Sequence, residues 1–182
     1  RGLLHGVTVG LKDIFYTAGM KTAAGSKVYA DFVHHFDATT DRKIKEAGGI
    51  ILGKAVTTEF ATSDPSPTYN PWNLEHTPGG SSSGSSVAVA SKTVGAALGS
   101  QTGGSTCRPA AYNGIVGLKA TYGRISRYGV VPVSWSLDHV GILVRTVDDA
   151  ALMLQVMSGE DANDPGSASE PVPDFIAQMA QH

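Results

Sequence analysis

The chain has 182 residues, of which 41% are hydrophobic and 16% charged, and a formal net charge of −2. That composition belongs to a globular domain with a sizeable core and excludes a disordered chain. The small net charge gives no bulk attraction to nucleic acid or an anionic membrane, and one cysteine, Cys107, excludes an internal disulfide or a cysteine-based metal cluster. No apolar run approaches membrane-spanning length and no signal-peptide pattern opens the chain, so a cytoplasmic location is the expectation.

Leu3 to Lys12 reads as strand almost from the first residue, so the N-terminus looks cut from something larger. Asp37 to Ala47 reads as a polar helix with apolar Ala38, Ile44 and Ala47, stopped by Gly48-Gly49. Ile50-Ile51-Leu52 is expected as a short buried strand. Pro65 to Pro78 contains four prolines and is expected as a long surface loop.

Gly79 to Ser86 and Gly99 to Ser105 are two Gly/Ser clusters around the apolar segments Val87–Ala90 and Val94–Leu98. Gly/Ser tracts alone suit a flexible linker, but a solvated linker has no use for those small apolar residues, so an ordered loop–helix–strand–loop unit is expected. Ile115 to Leu118 suggests a further buried strand. Thr146-Val147-Asp148-Asp149 is a capped helix start, and Leu152, Met153, Val156 and Met157 form its apolar face up to Gly159. Residues 160–182 read as a linker rich in Asp, Ser, Pro and Gly followed by a short helical tail, leaving residues 1–159 as the core. Alternating helices and strands predict an α/β fold.

Three short motifs point toward chemistry and then fall short. Gly48 to Lys54 nearly matches a phosphate-binding loop, but Ala55 stands where a magnesium-binding hydroxyl is needed and the interior is apolar. Gly80-Ser81-Ser82-Ser83-Gly84 matches a hydrolase nucleophile elbow, yet only Asp138-His139 and His182 are available as partners. The six histidines, His5, His34, His35, His76, His139 and His182, show no metal-ligand spacing, and no metal is expected. Without a histidine base, a lysine whose pKa is lowered by burial can activate serine. Lys12, closing the run Val7 to Leu11, is the candidate, although a lysine there can also snorkel to the surface.

Gly10-Leu11-Lys12-Asp13-Ile14, Gly79 to Ser85, Gly99 to Ser105, Gly117-Leu118-Lys119, Tyr122-Gly123-Arg124 and Ser134 to His139 together resemble the amidase signature family of serine hydrolases, from Gly6 to about Gly159. The resemblance implies a mixed β-sheet core covered by α-helices, of which this chain is the N-terminal and central part. It implies hydrolysis of a small-molecule amide through an acyl-enzyme on Ser105. Ser81, after a cis peptide at Gly80, would relay protons to Lys12, and the backbone amides of Thr102, Gly103, Gly104 and Ser105 would form an oxyanion hole. No cofactor, metal, membrane or direct nucleic-acid contact is implied.

The chain departs from the common pattern at Ser83, Gln101, Ala120 and Ile142. Arg108 stands three residues after Ser105 where many members place an arginine two after; it is read either as lining the substrate pocket and pairing with a carboxylate, or as a structural arginine bonding nearby carbonyls. The family also holds the glutamine-hydrolysing A subunit of a tRNA-dependent amidotransferase. That reading stays open beside the stand-alone amidase that Trp135 and His139 resemble more, and beside a truncated inactive fragment with a structural role. Family members are more than twice this length, so weak or absent activity is expected of the isolated segment, with a homo-oligomer or a larger parent chain covering its open apolar surface.

Overall fold

The computed structural model describes residues 1–181. His182, weighed above as a distant triad partner, lies outside the described residues. The core is a five-stranded sheet of β1 (Thr8–Lys12), β2 (Ile50–Ala55), β3 (Ala96–Gln101), β4 (Val116–Lys119) and β5 (His139–Val144), in the spatial order β2-β1-β3-β5-β4. β1 runs parallel to β2 and β3, whereas β5 is antiparallel to β3 and β4. The sheet is therefore mixed, with β3 at its centre and every β3 residue buried.

Helices α1 (Thr39–Glu46), α2 (Ser83–Ala90), α3 (Cys107–Asn113), α4 (Val147–Met157) and α5 (Phe175–Met179) accompany the sheet. α1 and α4 pack on the side of the main core, where Ile44, Leu98, Ile142, Met153 and Met157 are buried together. α2 and α3 enclose a smaller apolar cluster of Val89, Val94, Ala97, Ala110 and Leu143. Thr146 caps α4 as its sequence predicts, its hydroxyl accepting the Asp149 amide at 3.1 Å. Among the described residues no helix is long and apolar enough to cross a membrane.

Two expectations need correction. Ile50 to Leu52 does form a strand, but at the sheet edge rather than buried: Ile50 is 51% and Leu52 54% exposed. Ile115 to Leu118, expected as a further buried strand, forms β4 at the opposite edge, where no residue of Val116–Lys119 is fully buried; an apolar run identifies a strand without fixing its place in the sheet. The segment after Gly159 runs mostly over the surface and is tied to the core at several points. Buried Asp161 accepts the Thr39 and Ser126 hydroxyls, both at 2.6 Å, and Asp164 pairs with Arg127 at 2.6 Å. Arg124 adds hydrogen bonds to the carbonyls of Glu170 and Pro171.

Candidate active site

β1 ends in a turn that leaves Lys12 pointing into the protein, and its side chain is fully buried. Its Nζ lies 2.7 Å from Ser81 Oγ and 2.7 Å from Ser100 Oγ. Among the described residues no carboxylate comes within ion-pair distance of it. A buried ammonium without an anion is costly, so burial lowers the Lys12 pKa to about 7, partly opposed by the charge of Asp138. As ammonium, Lys12 donates to both hydroxyls; as neutral amine it still donates to one and offers its lone pair to the other.

The loop before α2 brings Ser81 to this lysine. The Gly80–Ser81 peptide is cis, and Ser81 is buried. The next serine, the one expected at a nucleophile elbow, has a different use. Ser82 Oγ accepts the Ser100 amide at 3.1 Å and donates to the Ser100 carbonyl at 3.2 Å, stitching the loop to β3. That close approach requires Gly99, since a Cβ there would lie 2.6 Å from Ser82 Oγ. Ser83 begins α2, so a serine replaces the family's usual glycine without needing unusual backbone.

β3 leads directly into the second Gly/Ser cluster. Thr102 to Ser105 form the bend between β3 and α3, with Gly103 exposed and Gly104 and Ser105 half-buried. The amides of Gly103, Gly104 and Ser105 donate to no acceptor among the described residues. The Ser105 carbonyl accepts the Ser82 amide at 3.3 Å, which joins the two clusters through their backbones. No hydrogen bond among the described residues links the Ser105 hydroxyl to Ser81.

Arg108, on the first turn of α3, donates from Nε and Nη2 to the Gly80 carbonyl at 3.2 and 2.7 Å. The structure thus engages it as a brace between α3 and the Ser81 loop. It also lines a cavity of about 330 Å³ with Thr58, Ser66, Thr77 and Tyr112. Cys107 occupies the place two after Ser105 and is exposed.

Three residues of the site take a part that the sequence reading did not give them. Ser100 shares Lys12 with Ser81; Gln101 caps α3, its Oε1 accepting the amides of Thr106 and Cys107 at 2.9 Å each. Asp138 accepts the Thr102 hydroxyl at 2.5 Å. Ser100 meets Lys12 across the β1–β3 pairing and Asp138 meets Thr102 just beyond the β3–β5 ladder, contacts visible only once the registers are known, whereas the Gln101 contacts are local. Asp138 and His139 do not form a triad pair: His139 Nδ1 lies 2.7 Å from the Leu137 carbonyl. The near-match to a phosphate loop is strand β2, and its Lys54 donates inward to the Phe15 carbonyl and the Thr22 hydroxyl.

The family model described as Amidase matches residues 1–182. The A subunit of glutamyl-tRNA(Gln) amidotransferase from Geobacter metallireducens is 51% identical over 178 residues, covering 94% of this chain and 37% of the relative. Among solved structures, the corresponding protein from Thermotoga maritima superposes with a TM-score of 0.89 at 43% identity, over 94% of this chain and 39% of that one. Native peptide amidase from Stenotrophomonas maltophilia gives a TM-score of 0.91 at 38% identity, over 98% and 39% of the two chains. This chain therefore spans well under half the length of the proteins it matches.

Proposed function

The chain belongs to the amidase signature family, and on that premise we propose that it carries the acyl-transfer site of an amide hydrolase, with Ser105 as nucleophile, Ser81 as relay and Lys12 as base. The observation that supports this reading most is a fully buried lysine, its pKa lowered to about 7, within 2.7 Å of a serine hydroxyl and without an anion of its own. A structural lysine would have an anion or reach solvent; this one is held as a proton acceptor at neutral pH.

In the proposed sequence Ser105 Oγ attacks the amide carbonyl carbon. Its proton moves to Ser81 Oγ while the Ser81 proton moves to the Lys12 lone pair. The free amides of the Gly103–Ser105 bend, with Thr102, receive the negative charge on the former carbonyl oxygen. Collapse breaks the C–N bond, and the proton returns from Lys12 through Ser81 to the leaving nitrogen. Water then repeats the cycle against the acyl-enzyme, releasing acid and the free serine. Arg108 is retained as a brace of the Ser81 loop rather than as a carboxylate ligand.

A second reading is favoured by the 51% identity to the A subunit of an amidotransferase. In it the amide is glutamine, and the released ammonia passes to partner proteins within a cytoplasmic complex. Hydroxylamine trapping tests both. A hydroxamate formed from simple amides or glutamine, and lost in Ser105→Ala, supports the acyl-enzyme. Hydroxamate persisting in that variant contradicts it. Glutamine turnover that appears only with partner proteins selects the second reading.

A further inference from the structure

We propose that Asp138 is a positioning residue of this site, anchoring the Thr102–Ser105 bend and acting through its charge on Lys12. The inference rests on the reading of Lys12 and Ser105 given above.

The sheet register explains the placement. Gln101 pairs with His139 at the last rung of the β3–β5 ladder, so Asp138 faces Thr102 one step beyond it. Its two oxygens serve different segments. Oδ1 accepts the Thr102 hydroxyl at 2.5 Å, and Oδ2 accepts the amides of Val133 and Ser134 at 2.7 and 2.9 Å. One carboxylate thus ties the bend that bears the free amides to the loop that precedes β5. Only neutral donors satisfy it, and among the described residues no cation pairs with it. Its charge is therefore left to act on its surroundings.

Lys12 is the group that feels it. Ser81 from the loop before α2 and Ser100 from β3 contact Lys12, and Asp138, one residue before β5, binds Thr102 two residues beyond Ser100, so that its charge reaches Lys12 without contact. Burial drives Lys12 toward the neutral amine, and the Asp138 charge opposes it. A base whose pKa falls too far is always neutral but a poor proton acceptor, whereas one near the working pH does both jobs. Asp138 keeps Lys12 in that range while fixing the bend that would receive the oxyanion.

The test uses the whole chain and two variants. In Asp138→Asn the side-chain carbonyl still accepts the Val133 and Ser134 amides and the amide NH₂ faces the Thr102 hydroxyl, so shape is kept and charge removed. Thr102→Val keeps the backbone and the charge but removes the anchor. The first readout is the Lys12 titration midpoint, followed by NMR of ε-¹³C-lysine and assigned with Lys12→Arg. The second is the pH dependence of Ser105 labelling by a fluorophosphonate. Asp138→Asn is expected to lower the Lys12 midpoint by about half a pH unit or more, and the labelling limb with it. Thr102→Val is expected to slow labelling by roughly tenfold or more, with the Lys12 midpoint nearly unmoved. An unchanged midpoint in folded Asp138→Asn overturns the charge role, and parental labelling by Thr102→Val overturns the anchoring role. The Thr102 variant decides the matter if Asp138→Asn does not fold. A midpoint that moves while labelling is indifferent to Lys12→Arg sinks the acyl-transfer reading instead and leaves the Asp138–Lys12 coupling standing.

Discussion

Lys12, Ser81 and Ser105 stand far apart in the chain; Ser81 and Ser105 sit in Gly/Ser clusters, and the three were picked out together only through the resemblance of their segments to the amidase signature family. The geometry adds the second circle of contacts, which sequence could not supply. Ser100 and Asp138 meet Lys12 and Thr102 through strand pairing, where a one-residue slip in register would send a side chain to the opposite face, while Gln101 caps α3 locally. Arg108 shows the same limit. Its residue type suits a carboxylate, but two of its donors are engaged by the Gly80 carbonyl. Replacing it with leucine is expected to slow turnover of acidic and neutral amides alike, by roughly tenfold or more, with KM unchanged, because the Ser81 loop loses its brace. A KM that rises for acidic amides alone would return Arg108 to the substrate pocket.

At the level of elements, periodicity and capping identified the helices well. Thr146 and the paired acids of α4 are local signals that need no tertiary context. The strand at Ile50 to Leu52 was found but expected buried, although the alternating exposure of β2 leaves one face of it uncovered, and β5 was not read from the sequence. In the segment after Gly159, Asp, Ser, Pro and Gly mark a loop without saying whether its acids are buried. Burial raises the Asp161 pKa, but hydrogen bonds from Ser126, Thr39 and Asn163 outweigh that and hold it at about 2. A carboxylate with a depressed folded pKa stabilises above its unfolded value near 4, and loses that contribution as pH falls through the folded value. Asp161→Asn is therefore expected to lower stability by roughly 1–2 kcal/mol at pH 7, a figure reduced for solvent screening, with the difference shrinking between about pH 4 and pH 2. Chemical denaturation of both proteins across that range checks it; a constant difference would show that packing rather than charge is responsible.

For the whole molecule, the composition identified a globular α/β chain and the motifs a family, while the substrate lay beyond their reach. The proteins this chain matches are more than twice as long. Within this chain the edge strand β2, paired only with β1 among the described residues, leaves Ile50 and Leu52 half-exposed. Such an edge invites association between copies of the chain. Ile50→Thr combined with Leu52→Lys is expected to shift sedimentation of the isolated chain toward the monomer without changing its circular dichroism. Unaltered association would place the contact elsewhere.

The proposed chemistry turns on Lys12, Ser81 and Ser105 working as one unit, and site-resolved fluorophosphonate labelling is the sharpest test of that unit. A single adduct is expected on the peptide containing Ser105, forming at a rate that rises with pH through about 7 as Lys12 becomes neutral. The adduct is expected to vanish in Ser105→Ala and to form far more slowly in Lys12→Ala. An adduct of the same yield in Ser105→Ala, or one carried on any other serine, would contradict the assignment.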